Sequence, residues 1–188
     1  MSVDQIVSEF DQMQNQYSAA SELDRIIQAK KIPNALLFTG NPGTGKINAA
    51  LNLVKACNCL ESNNIPCDTC RFCKKITAGM HPDIIKILPE KKVITISQIR
   101  EMGLLLSSRP NEAKKRMVLI SHADKMNVQA QNALLKMLEE PSENTFFVLI
   151  ARGPSCLLPT VLSRCRHLRF NPLKTREIER TLIESHKI

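Results

Sequence analysis

Ala35-Leu36-Leu37-Phe38-Thr39-Gly40-Asn41-Pro42-Gly43-Thr44-Gly45-Lys46-Ile47 is the stretch on which the fold turns. Ala35–Phe38 reads as a short buried strand, and G-x-x-x-x-G-K follows from Gly40 to Lys46 at the start of a helix extending to about Leu60. In such a loop the glycines let successive backbone N–H groups face a phosphate, and the lysine brings a point charge to the β/γ position. Gly40, Gly43, Thr44, Gly45 and Lys46 are therefore the candidate phosphate-binding residues. The next position calls for a Ser or Thr hydroxyl to hold Mg²⁺; here it is Ile47, which cannot ligate a metal.

Outward from the loop, strands and helices alternate. Upstream, residues 17–30 have helical spacing at Leu23, Ile26, Ile27 and Ala29, ended by Pro33. Downstream, the cysteine-rich stretch 59–73 reads as a loop, Asp83–Leu88 as a strand, and Ser97 as the cap of a helix to Ser107. Met117–Ser121 is a third strand, and Asn127 caps a helix that Pro141 stops. Thr145–Ala151 is a fourth strand, Leu157–Ser163 a short helix and Arg166–Phe170 a fifth strand. Apolar strands separated by helices predict an α/β fold with a largely parallel sheet covered on both faces.

A nucleotide-hydrolysing site of this kind also needs an acidic pair at the end of a buried strand. Met117-Val118-Leu119-Ile120 ends instead in Ser121-His122. Asp124 lies further on, where a role at the start of the following helix is expected of it, with duty as a substitute acid the alternative. Positioning and metal electrostatics supply nearly all of phosphoryl-transfer catalysis, so two losses in one site argue against hydrolysis.

Composition sets the outer bounds. The chain has 188 residues, 43% of them apolar, and a net charge of +8. That suffices for a real core and argues against disorder. The apolar run Phe146–Ala151 falls far short of the ~18 residues that span a bilayer, and Met1-Ser2-Val3-Asp4 has neither a basic start nor an apolar stretch, so no export signal is expected. A cytoplasmic protein without membrane contact is expected. Charge is −3 over residues 1–30, +6 over 31–110, zero over 111–150 and +5 over 151–188. Such a basic excess suits phosphates, acidic partners or nucleic acid, although aromatics at 4% give little support to a base-stacking platform.

Seven cysteines, with no export signal expected, point to metal or spare thiols before disulfides. Cys67-x₂-Cys70-x₂-Cys73 puts three thiols within seven residues, with Cys59 and Cys57 upstream. Four thiolates complete a closed tetrahedral zinc site, and C-x₂-C-x₂-C also occurs in iron–sulfur ligand runs, so spacing leaves both open. Cys156 is expected to be small and buried, Cys165 to pack inward, and His81 to be a turn residue before Pro82.

From about Ile32 to Phe170 the chain resembles the bacterial clamp-loader subunits of DNA polymerase III, in the AAA+ superfamily. The residues carrying this are Ile32-Pro33-Asn34-Ala35-Leu36-Leu37-Phe38, Gly79-Met80-His81-Pro82-Asp83, Asn132-Ala133-Leu134-Leu135-Lys136 running to Glu139-Glu140-Pro141, and Ser163-Arg164-Cys165. The hydrolysing gamma/tau subunits of that family keep Ser/Thr after the lysine, an Asp-Glu pair at Ser121-His122 and a polar sensor at Ala151-Arg152. All three departures align with the non-hydrolysing delta prime branch, whose ATP binding would be weak or absent. The resemblance implies a structural zinc held by Cys59, Cys67, Cys70 and Cys73, with Cys57 as the alternative first ligand. It also implies that Arg164 is a finger reaching the γ-phosphate of a neighbouring subunit; simple pairing with a surface acid is the competing reading.

The implied partners are gamma/tau and delta subunits, and the sliding clamp and primed DNA through the assembled complex. The resemblance further implies an AAA+ domain over residues 1–170, with a zinc-binding insertion at about 57–75, and the start of a truncated helical lid at 171–188, where Leu173, Ile178 and Leu182 share a face. A fragment of this kind is expected to be monomeric. A gamma/tau-type ATPase with a degenerate site and a nucleic-acid-binding zinc module are the alternatives.

Overall fold

The computed structural model describes residues 19–61 and 66–171. The expectations for residues 1–18 and for the lid segment from Pro172 onward lie outside the described residues. Helix α1 covers residues 19–28, followed by β1 (Ala35–Thr39), α2 (Lys46–Asn58), α3 (Arg71–Thr77), β2 (Ile84–Ile87) and α4 (Ile96–Leu106). Then come β3 (Arg116–Ile120), a 3₁₀ turn at Ala123–Lys125, α5 (Val128–Glu139), β4 (Thr145–Ala151), α6 (Pro159–Leu162) and β5 (Arg166–Arg169).

The five strands form one parallel sheet in the order β2-β3-β4-β1-β5. Successive side chains point to opposite faces, so each buried strand feeds two cores. Leu36, Phe38, Met117, Leu119, Phe146, Val148 and Ile150 face α1, α2 and α3, where Leu23, Ile26, Leu53, Val54, Phe72 and Ile76 meet them. Leu37, Val118, Ile120, Phe147 and Leu149 face α4, α5 and α6, against Ile99, Met102, Leu134, Leu138 and Val161. The central strands are buried along their whole length, which is why they read as unbroken apolar runs rather than as alternation.

Local chemistry accounts for most boundaries, with two corrections. The cap of α4 is Thr95, not Ser97: the Thr95 N–H donates to Gln98 Oε1 at 3.0 Å in a capping box. The cysteine stretch is not loop throughout, because Arg71 begins α3 and the Cys70 side chain caps it by accepting from the Cys73 N–H. Asn127 caps α5 as expected, its Oδ1 accepting from the Ala130 N–H at 2.8 Å.

A buried ionic link fixes the passage from α3 to β2. Asp83 and Arg116 are both almost wholly buried, 3.5 Å apart. Burial alone would raise the Asp83 pKa. The N–H groups of Glu112, Asn111 and Ala113, with the Arg116 charge, hold it below the usual carboxylate value. Arg116 in turn donates to the carbonyls of Leu105, Ser108 and Arg109. The Gly79–Asp83 stretch thus has a structural use, tying the end of α4 and its following loop to the sheet.

Candidate phosphate cleft, cysteine cluster and finger

The phosphate loop leaves β1 at the carboxyl edge of the sheet, the edge at which open α/β sheets bind ligands. Gly40 has φ +142°, and a Cβ there would lie 2.0 Å from the Phe170 carbonyl oxygen, so only glycine fits. Gly45, at φ 77°, is the left-handed residue that leads into α2. The loop borders a cavity of about 350 Å³ closed by Ser121, His122 and Asp124 after β3 and by Ile150, Ala151 and Arg152 at the end of β4. Gly40, Gly43, Thr44, Gly45 and Lys46 all line it.

The loop satisfies its own lysine. Lys46 Nζ donates to Gly40 O at 2.8 Å, Asn41 O at 2.5 Å and Thr44 Oγ1 at 2.9 Å. Burial lowers its pKa, and the carbonyls occupy positions that a phosphate oxygen would compete for. Ile47, in the place of a metal-binding hydroxyl, is about half exposed in the cleft. Ser121 is buried at the end of β3, and His122 turns the chain at φ 57°. Asp124 departs from expectation: Asn127 caps α5, while Asp124 sits in the 3₁₀ turn and lines the cavity, with Oδ1 buried and without a hydrogen-bond partner.

On the α1–α3 face of the sheet, Cys59, Cys67, Cys70 and Cys73 bring their four sulfurs within 4.8 Å of one another. Tetrahedral Zn²⁺ with Zn–S of ~2.3 Å needs sulfurs about 3.8 Å apart, and Cys67 and Cys73 stand at 4.0 Å. The Cys70 N–H points to Cys67 Sγ at 3.3 Å and the Cys73 N–H to Cys70 Sγ at 3.5 Å. Such donors favour thiolates, and the Cys73 and Leu60 N–H groups pull the Cys70 pKa down. Burial pushes Cys73 up to about 12, a cost that a bound cation would reverse. With Cys59, Cys70 and Cys73 buried in the core, the donor set fits a closed structural metal.

Cys57 stands apart. Its Sγ donates to Leu53 O at 2.9 Å within α2, and burial raises its pKa to about 12. His81 is likewise outside the cluster: it is buried against the Phe72 ring, with Nδ1 accepting from the Asp83 N–H. Cys156, expected to be buried, is exposed, while Cys165 packs partly against the α4–α6 core.

Two anchors went unread in the sequence. Asn58 clasps Lys115 through both its side-chain nitrogen and oxygen, fastening the end of α2 to the start of β3. Gln131, buried in α5, accepts from the Leu158 N–H at 2.7 Å and donates to the carbonyls of Met126 and Cys156. It therefore sets the chain leading into α6 and Arg164. A buried polar residue inside an amphipathic helix was the available signal.

Arg164 follows α6. Its Nε donates to Glu139 Oε1 at 2.8 Å, Nη2 lies 2.5 Å from the same oxygen, and Nη1 donates to Thr160 O at 2.8 Å. It is paired with a surface acid, and the pair is open to solvent.

The chain is 44% identical over 158 residues to DNA polymerase III subunit delta' of Bacillus subtilis, covering 84% of this chain and 48% of that protein. Against the B. subtilis tau subunit it is 32% identical over 170 residues, 90% of this chain and 30% of the relative. The chain thus spans half or less of the length of these curated relatives. A DNA polymerase III gamma subunit-related protein from Thermotoga maritima superposes with TM-score 0.62 at 27% identity, over 88% of this chain and 49% of that one. The T. maritima RuvB branch-migration motor shares the fold alone, with TM-score 0.58 at 12% identity over 94% of this chain and 50% of its own. Among the described residues no helix is long and apolar enough to cross a membrane. The family described as "DNA polymerase III, delta subunit" matches residues 15–174, and with the B. subtilis identity this shows that the chain belongs to the DNA polymerase III clamp-loader family, in its delta prime branch.

Proposed function

We propose that this chain is part of a clamp-loader subunit that hydrolyses no ATP of its own and supplies Arg164 to the nucleotide of a neighbouring gamma/tau subunit. The carrying observation is the cleft. Its phosphate half is intact at Gly40–Lys46, while Ile47 offers no hydroxyl and Ser121-His122 no carboxylate where Mg²⁺ would be held. Nucleotide binding there would be weak or absent, since Ile47 gives no hydroxyl for Mg²⁺ and Lys46 would have to leave the Gly40 and Asn41 carbonyls to meet a phosphate. Arg164 would neutralise charge developing on the neighbour's transferred phosphoryl, an effect that can reach ~10³–10⁵ in rate.

Cys59, Cys67, Cys70 and Cys73 would hold one structural Zn²⁺, which cross-links the end of α2 to α3 and catalyses nothing. Partners in this reading are gamma/tau and delta subunits, with the sliding clamp and primed DNA met through the ring in the cytoplasm. The AAA+ unit would cover residues 1–170, with the lid beginning at 171.

The deciding measurement is steady-state ATPase of the reconstituted ring and of this subunit alone. Arg164→Ala should leave folding intact and slow only the ring. Steady turnover by the purified subunit, silenced by Lys46→Ala, would defeat the proposal.

One observation favours a second reading, a gamma/tau-type site in degenerate form: the unpartnered Asp124 carboxylate oxygen in the cleft. That reading requires Mg²⁺-dependent nucleotide binding abolished by Asp124→Asn, which calorimetry would detect.

A further inference from the structure

We propose that Glu139 is the positioning residue of Arg164, fixing the plane of its guanidinium before a neighbouring phosphate arrives; this rests on the finger reading above. Glu139 is the last residue of α5, and Arg164 lies 25 residues later in sequence, beyond α6. One carboxylate oxygen takes both Nε, at 2.8 Å, and Nη2, at 2.5 Å. On the opposite side Nη1 donates to Thr160 O at 2.8 Å and to Ser163 Oγ at 3.3 Å. A guanidinium is a rigid plane carrying five N–H donors. Holding it along one edge by an acid and on the other by a backbone carbonyl fixes that plane. Each terminal nitrogen carries two N–H groups, and the single contact of Nη2 leaves donor capacity for an anion.

The supports of this pair are themselves rigid. Gln131 on α5 holds the Leu158 N–H, and Val161 of α6 is buried in the same core as Leu134 and Leu138 of α5. The two ends of the clasp therefore belong to one packed unit, while their side chains remain 34% and 48% exposed and within reach of a partner. A long, flexible arginine without such a clasp would lose its rotamer freedom in the act of binding; here much of that ordering precedes it. The neighbouring acid Glu140 makes no side-chain hydrogen bond or ion pair with another of the described residues, so it serves as the control.

The test uses the full-length subunit in a reconstituted ring with hydrolysing subunits, clamp and primed DNA. Glu139→Ala should lower kcat roughly three- to thirtyfold, less than the ~10²-fold that an ~1 Å misplacement can cost. The ATP KM should stay within about twofold. Glu139→Gln keeps an oxygen acceptor and should recover part of the rate, and Glu140→Ala should leave it unchanged. In an Arg164→Ala ring, Glu139→Ala should have no further effect, and the melting temperature of each variant checks folding. An unchanged or faster Glu139→Ala ring, or the same loss in the Arg164→Ala background, overturns the positioning role. An Arg164→Ala ring with full ATPase removes the finger itself and this proposal with it. A slow Arg164→Ala ring beside an unaltered Glu139→Ala ring removes the positioning role alone.

Discussion

The phosphate cleft at the carboxyl edge of the sheet and the cysteine cluster on its α1–α3 face satisfy their polar atoms in opposite ways. In the cleft, Lys46 is bonded to Gly40, Asn41 and Thr44, the exposed Ile47 offers nothing to a cation, and Asp124 leaves a buried oxygen unpartnered. In the cluster, four sulfurs converge, backbone N–H groups point at two of them, and three of the cysteines belong to the core. A loop whose lysine is internally bonded can persist as architecture without a ligand. Four converging thiols, three of them buried, gain full stabilisation only when a cation completes them. The two regions should therefore respond very differently to the loss of one residue.

The largest expected effect is on the cluster. Cys73→Ser should abolish binding of about one metal equivalent and partly unfold the α2–α3 region, because structural zinc contributes ~10–16 kcal/mol in small zinc domains. Elemental analysis and a chelator titration followed by circular dichroism check this. Iron, or no metal, in the wild-type protein would break the contrast between the regions.

Next in size is the ionic link between that region and the sheet. Asp83→Asn leaves Arg116 buried without its charge partner and should cost about 3–5 kcal/mol, read from denaturant melts. The folded Asp83 pKa is depressed. Its contribution is thus fully present above the ordinary carboxylate value and is lost as pH falls through the lower folded value. Wild-type stability should drop in that acid range, with a shallower drop in Asp83→Asn.

A smaller change tests the cleft. Ile47→Thr restores one hydroxyl, so nucleotide affinity should gain a Mg²⁺ dependence of about tenfold or less, without turnover. Calorimetry with and without Mg²⁺ measures it, and turnover by Ile47→Thr alone would show that Asp124 completes the site.

The smallest effect belongs to Cys57→Ser. The serine hydroxyl can still donate to the Leu53 carbonyl, so stability should shift by roughly 1 kcal/mol or less and metal stoichiometry should stay the same. Loss of metal in this variant would move the first ligand from Cys59 to Cys57.

Strand and helix order was legible because it rests on local periodicity: Ala35–Phe38, Met117–Ile120 and Thr145–Ala151 are apolar runs between loop signals. The cap of α4 was misplaced by two residues because both Thr95 and Ser97 carry a hydroxyl. Only the Thr95–Gln98 pairing and the Gln98 contact to Leu88 O at 2.8 Å separate them. The cysteine stretch reads as loop in the sequence because metal-ligand spacing hides the helix that Cys70 caps.

By itself the sequence determined the phosphate loop, the isoleucine after its lysine, the lack of a carboxylate at Ser121-His122, the thiol-rich stretch and the clamp-loader motifs. All of these are patterns within a few residues, where covalent spacing fixes geometry. Only the tertiary structure decided that Cys59 rather than Cys57 joins the cluster, that Asp124 enters the cleft, and that Glu139 and Gln131 govern the surroundings of Arg164. Each of those depends on which helix face turns inward or on pairs some 25 residues apart. Packing of both sheet faces brings such groups together, and no local spacing encodes it.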